Sequence, residues 1–427
     1  MSLHRRSRLH LGHVRWHHRW HLGRGEPLGR DFGKAWAAGV SSNIADGITF
    51  AALPLLSAGL TREPALIALV ALVHSLPWLG FELIAGEIVD RVDRRRLMLF
   101  GNLARAIIAA TIAVLAAAGE MTLGLLYVLA FGLGVAETLV DTSWEAIIPR
   151  LVPRDRLESA NGRTQAAEWV ANDFIGPPVG GALFAGAAAA PFFLDAGAFV
   201  LAALLVAWIP GTFRADREVD HSRGAARRDI IEGISWLWHQ PVLRTLSAAA
   251  GWSNLVGTAM LSVFVLFAQD ILELSDWGFG AVLAATGVGG ILGAATAHIV
   301  ERRIGPGTLL LSSVGGMALA ALAVATTSNP VVVGAAFALD GFLIGMWNVV
   351  VVSLRQAMTP DEMRGRVASV ARTVAFGAIP IGAAVGGVLA EISLRAPYWL
   401  GAGTYVVAAV LMSRTVNNRT IAQMKSA

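Results

Sequence analysis

Apolar runs of about twenty residues, the length a helix needs to cross a bilayer core, recur from Lys34 almost to the C-terminus. Short segments rich in arginine, glycine and proline separate them. Their spacing predicts twelve helices, at 34–60, 64–86, 97–118, 121–142, 161–187, 191–211, 243–270, 277–300, 306–327, 329–352, 365–391 and 395–414. An even number of spans puts both chain ends on one side of the membrane. The expected fold class is therefore all-α and integral to a membrane.

Basic residues say which side. Arg62 and Arg395 are the basic residues in loops opposite the N-terminus, and Arg105 and Arg372 lie inside predicted helices. All the others fall on the N-terminal side, so the positive-inside rule makes both termini cytoplasmic, in a cell membrane. Between the sixth and seventh spans comes a charged stretch, Arg214 to Arg228, then IIEGISWLWHQ (230–240), whose tryptophans suit a helix lying at the interface. The expected organisation is a basic tail (1–33), a six-helix bundle (34–211), a cytoplasmic linker with an interfacial helix (212–242), a second six-helix bundle (243–414) and a short tail (415–427).

The two halves repeat each other. Asn43, Asp90 and Arg91 align with Asn254, Glu301 and Arg302, and VGG at 179–181 aligns with VGG at 385–387. Parallel six-helix repeats joined by a linker describe a transporter whose bundles rock around a site near the bilayer midplane.

Composition narrows the chemistry. Of 427 residues 55% are hydrophobic and 15% charged, and the mean hydropathy is +0.60, outside the range of a soluble domain. Cysteine is absent, which removes disulfides, thiolate metal sites and cysteine nucleophiles. Lysine occurs at Lys34 and Lys425, neither in a GxxxxGK[ST] frame, so the chain itself does not cradle ATP. The net charge of +4 speaks to topology and implies no nucleic-acid partner. The N-terminal tail holds six of the ten histidines, with His13, His17 and His21 one helical turn apart; the expected role is a basic, tryptophan-bearing strip on anionic lipid, with no metal site.

An ionisable group in the bilayer core costs about 2.5–3.5 kcal/mol on insertion scales, so each marks a functional candidate. The first half carries Asp46, His74, Glu82, Arg105, Glu137, Asp141, Glu168, Asp173 and Asp195; in the second half Asp340 and Arg372 stand out. Asn43, Asp46 and Phe50 share one helix face, as do Gln165, Glu168 and Asn172, so these two faces are expected to line one cavity. Asp46 follows Lys34 by roughly 18 Å of helix, near the middle of the bilayer, and is the first candidate to load and release a proton. Glu168 and Asp173 come next. Arg105 is expected to pair with Glu137, Asp141 or Glu82 near the cytoplasmic end of the fourth helix, as a gate or a static ion pair. Asp340 and Arg372 are expected to pair with each other, His74 to be a hydrogen-bonded packing residue, and Asp195 to sit hydrated near the outer surface.

Three motifs carry a family resemblance. The loop GEIVDRVDRRR (86–96) resembles the G-x-x-x-D-R-x-x-R-R signature of the major facilitator superfamily, matched by Gly86, Asp90, Arg91, Arg94 and Arg95. EWVANDFIGPPVGGALFAG (168–186) is similar to that superfamily's fifth-helix motif in drug:proton antiporters, through Gly176, Pro177, Gly180 and Gly181, with Asn172 where the family usually has glycine. The segments 43–56, 147–168 and 348–387 resemble the macrolide-efflux and enterobactin-exporter branch. The resemblance implies the major facilitator fold, a proton-coupled exporter of an amphipathic antibiotic-like compound or siderophore, protons in place of any cofactor, and a functional monomer. Two alternatives stay open: a facilitator or importer of a small metabolite or lipid, and a polytopic membrane enzyme. Against the enzyme, no histidine, serine or acid cluster stands at catalytic spacing near a membrane face.

Overall fold

A computed structural model describes residues 28–214, 223–360 and 363–426. The histidine-bearing tail, the centre of the linker and the side chain of Glu82 lie outside the described residues. The first half comprises α1 (Arg30–Leu60), α2 (Pro64–Arg91), α3 (Arg94–Ala118), α4 (Leu123–Leu151), α5 and α6 (Ala190–Ala207). Here α5 is one continuous helical path in three parts, Leu157–Glu168, Trp169–Ile175 and Gly176–Gly186, the middle one a π-helix. After α7 (Arg223–Trp238) come α8 (Pro241–Leu261, continued after a bend by Phe264–Leu266 and Phe267–Ile271), α9 (Asp276–Ile304), α10 (Pro306–Thr326), α11 (Pro330–Met358), α12 (Arg364–Ile392), α13 (Ala396–Ser413) and α14 (Asn418–Ser426).

Among the described residues nine single helices are long and apolar enough to cross a membrane, and the bent α2 and α8 raise the number to eleven. With α5, whose three parts of 12, 7 and 11 residues are each too short to cross alone, the twelve expected spans are accounted for. Several helices run further than the apolar pattern suggests. The fourth ends at Leu151 and not at 142, and the tenth span at Met358 and not at 352. Hydropathy marks where lipid ends, whereas a helix continues while one face still has something to pack on: Ile147 and Ile148 are buried against Phe32, Met98 and Val206 beyond that point.

Within the first half α3 packs on α4 and α6, α1 on α5 and α6, and α2 on α4; within the second, α9 packs on α11, α8 on α12, and α10 on α11 and α13. Two helix pairs join the halves, α2 with α12 and α5 with α9, which the internal repeat relates to each other. On the face away from the termini the junction is tight. Arg62 donates to Gln269 at 2.7 Å and pairs with Asp270, and the Ala65 amide donates to Glu391 at 3.1 Å. On the terminal face the polar start of α5 packs on α1 and α4 of its own half, and Arg372 of α12 pairs with Glu145 of α4 across the junction at 2.8 Å.

Both ends of the second half are tied down. Through Leu237, α7 docks against Val367 and Val370 of α12, and Glu232 pairs with Arg366 at 2.9 Å. Where a bare tail is expected, α14 caps α10: Asn418 accepts from the Gly307 amide at 2.7 Å and donates to the Ile304 carbonyl at 2.9 Å, satisfying groups the helix ends leave over.

Candidate functional site

The loop motif comes first along the chain. Asp93, which the sequence reading passed over, is the N-cap of α3: it accepts from the Arg96 amide at 3.2 Å and from the Phe213 amide at 2.8 Å. Arg95 donates to the Ile209 carbonyl at the end of α6, where exposed helix carbonyls favour a cation. Arg91 pairs with Glu87 one turn back on α2. Arg94 is buried, Asp90 is exposed, and nothing lies close to Gly86. The motif thus straps α2 and α3 onto the end of α6.

The fifth-helix motif is resolved by its backbone. The Gly176 amide donates to Ala171, five residues back, as a π-helix does. Pro177 and Pro178 have no amide proton to give, so the Asn172 and Asp173 carbonyls are left without a helical donor. Those are the carbonyls that glycines of two other helices cover. A Cβ on Gly47 of α1 would collide with the Asn172 carbonyl, and one on Gly287 of α9 with the Asp173 carbonyl. Further along, Gly176 and Gly180 lie against Gly47 and Ile48 of α1, while Gly181 lies against Asp276 and Gly280 of α9. The motif is the seam where a helix of one half meets both its own bundle and the other.

Two adjoining cavities sit at this level and share Phe50, Leu261 and Leu283. The first-half cavity, about 330 Å³, is lined by Asp46, His74, Arg105, Glu137 and Asn172 among others. Here the expected pairings change. Arg105 is 2% exposed and pairs with Asp46; it also donates to Ser42 at 2.9 Å and lies 4.2 Å over the Phe199 ring. Glu137, expected as a partner of Arg105, faces His74 at 3.4 Å, so His74 meets a carboxylate as well as packing. Because α4 runs on to Leu151, past its expected end at 142, Glu137 and Asp141 stand mid-helix. Asp195 is not hydrated: it is 0% exposed and accepts from Thr49 at 2.6 Å, since α6 turns that face onto α1. Asn43 and Glu168 stand one turn nearer the terminal face than Asp46 and Asn172, and Gln165 donates to Glu168 at 3.1 Å.

The second cavity, about 310 Å³, lies between α5, α9, α10 and α11, with Asp173 and Asp340 on its wall. Asp340 does not pair with Arg372. Arg372 crosses the interface to Glu145, reaching both its oxygens at 2.8 and 2.9 Å, on the stretch of α4 that hydropathy leaves out. Gly257, the repeat counterpart of Asp46, and Asn348, that of Asp141, also line this cavity.

Comparison with known proteins agrees with this architecture. The chain is 29% identical over 366 residues to the multidrug efflux pump Tap of Mycolicibacterium fortuitum, covering 83% of this chain and 88% of that one. Among solved structures it is similar to the nucleoside transporter NupG in a mutant form (TM-score 0.70, 12% identity, 89% of this chain and 99% of that one). It is also similar to a bacterial homologue of the iron transporter ferroportin in an inward-facing state (TM-score 0.69, 16% identity, 94% and 100%). The family model of the Major Facilitator Superfamily matches residues 35–383. A multi-pass helical fold with repeat-related junctions, cavities between its halves and that match together place the chain in the Major Facilitator Superfamily, as a membrane transporter and not an enzyme.

Proposed function

We propose that this transporter exports an amphipathic small molecule, antibiotic-like or siderophore-like, in exchange for protons, as a monomer working by alternating access with its termini in the cytoplasm. Similarity to a multidrug efflux pump supports the direction.

The observation that carries the coupling is the buried Asp46–Arg105 pair on the wall of the first-half cavity. A proton on Asp46 removes the one carboxylate charge that Arg105 touches directly among the described residues. Glu137, Asp141 and Asp195 already act on that guanidinium at longer range, so its charge has other places to go. Because Glu137 also holds His74, a change of partner at Arg105 is felt by α2 and α4, and α2 is one of the helices at the junction with the other half. The motif Gly86, Asp90, Arg91, Arg94 and Arg95 acts as the cytoplasmic latch, and Gly176, Pro177, Gly180 and Gly181 as the seam on which the halves rock.

The test uses everted membrane vesicles with a preformed interior-acid gradient and a panel of cationic, neutral and anionic amphiphilic dyes. At least one dye should be accumulated with release of protons from the vesicle interior. Asp46→Asn should abolish uphill accumulation while leaving downhill exchange. Dye movement without proton release would replace exchange with facilitated diffusion, and uphill transport that survives Asp46→Asn would move the proton to another acid.

A further inference from the structure

The two cavities differ in charge, and the difference says what the second one holds. In the first, Arg105 and His74 stand among the carboxylates of Asp46 and Glu137, and each carboxylate has a partner. In the second, Asp173 and Asp340 are the only charged side chains on the wall among the described residues, and none of those lining it is basic. Among the described residues neither carboxylate has a hydrogen-bond or ion-pair partner.

Their placement is set by backbone contacts. Thr286 and Gly287 are neighbours on α9. A Cβ on Gly341 of α11 would strike the Thr286 carbonyl, and one on Gly287 would strike the Asp173 carbonyl. Asp173 and Asp340 therefore flank α9 at the same depth, one from each half, and both line one cavity. Apart from Thr286 and Asn348 the rest of the wall is apolar and aromatic, with Phe50, Trp169, Phe337 and Tyr398. Tyr398 uses its hydroxyl on the Met260 carbonyl at 3.2 Å, so what it offers the cavity is its ring.

We infer that this cavity recognises a cation on an apolar body, a protonated or quaternary amine whose charge lies between Asp173 and Asp340. Asp173 is exposed on the cavity wall and Asp340 half-buried there, so both can meet a counter-charge, and next to low-dielectric apolar walls that attraction is stronger than in open water. A cation supplies that charge to both at once, and aromatic faces add attraction for it. An anion meets repulsion from both sides, and a neutral molecule leaves both groups uncompensated. A volume of about 310 Å³ is at the lower end of the range for small-molecule sites. Since one carboxylate comes from each half, the bound cation also ties the halves together at the seam. The inference rests on the transporter reading and adds the charge of the cargo.

The test is equilibrium dialysis of the purified full-length protein in neutral detergent, with no gradient. The probes are tetraphenylphosphonium and its anion of like shape, tetraphenylborate, each corrected for the micelle by the Asp173→Asn/Asp340→Asn double variant. Tetraphenylphosphonium should bind once per protein and tetraphenylborate should not. Asp340→Asn and Asp173→Asn should each weaken binding by about tenfold or more, equivalent to about 1.4 kcal/mol, while Asp340→Glu should retain it. A monodisperse elution profile for each variant separates lost binding from lost folding. Equal binding of the two probes, or unchanged binding in both asparagine variants, overturns the inference. Because no gradient is involved, that failure leaves proton-coupled export standing, and a failed vesicle experiment leaves the dialysis result standing.

Discussion

The half built from α1–α6 partners three of its acids from within, Asp46 with Arg105, Glu137 with His74 and one oxygen of Asp195 with Thr49, while Asp173 at its edge faces the other half's cavity. The half built from α8–α13 is held differently. Phe264 stacks with Phe279 at 5.4 Å between ring centres and meets Phe337 at 4.5 Å, and glycines on α9 and α11 let those helices approach almost backbone to backbone. Its one carboxylate on a cavity wall, Asp340, is left unanswered. Two copies of one backbone plan have thus been filled with different chemistry. A charge network can change partners and so respond to a proton, whereas a tightly packed apolar bundle resists rearrangement and presents a fixed wall.

That contrast can be broken most directly at Arg105. Arg105→Ala leaves Asp46 buried without its partner and should cost about 3–5 kcal/mol, read as a large fall in thermal midpoint in detergent. The paired change Arg105→Met with Asp46→Leu should recover most of that stability, because an apolar pair of similar volume is often neutral, yet proton-driven transport should remain absent. Recovery of transport with stability would show that the pair is a strut and not the coupling element.

A middle effect is expected in the other half. Gly289→Val puts side-chain atoms against the Ala338 backbone, and overpacking of this kind costs about 1–3 kcal/mol. The thermal midpoint should fall while proton release by the first half persists in whatever protein remains folded. An unchanged midpoint would mean that α9 and α11 are not locked as tightly as their glycines imply.

The smallest effect belongs to the bridge between the halves. Glu145 and Arg372 are 58% and 43% exposed, so Glu145→Gln should cost no more than about 1 kcal/mol of stability. Its effect should show in the rate at which the cleft opens on the terminal face, measured by a spin-label pair across it. A change in stability as large as that of Arg105→Ala would place Glu145 in the structural core of the interface.

Much of this was readable along the chain because lipid imposes a one-dimensional rule. Helix count, the shared side of both termini and the division into halves follow from where apolar runs and arginines fall, and a buried backbone in lipid has little choice but to be helical. The depth of Asp46 and the shared face of Asp46 and Phe50 were equally legible, since both depend only on rise and turn per residue. The polar character of α5 was legible too, but not its π-turn: that depends on which amide reaches which carbonyl once two prolines withdraw their own.

Pairings were the part that spacing could not supply. Arg105 has several acids at plausible depth, and it is the rotation of α3 against α1 that selects Asp46 over Glu137. Asp195 looks hydrated by its place near a helix start, yet α6 turns it onto Thr49. Glu145 lay beyond the expected end of its helix, so its bond to Arg372 had no place in a reading bounded by hydropathy.

By itself the sequence determined that this is a twelve-helix, two-fold repeated membrane transporter with its charges gathered in one half, because each of those properties is local or periodic. Only the tertiary structure decided which charges are answered. It joined Asp46 to Arg105 and Arg372 to Glu145, and it set Asp173 and Asp340 on the wall of one cavity. Whether a buried charge is neutralised depends on groups brought together across hundreds of residues, and on helix rotations that no repeat along the chain records.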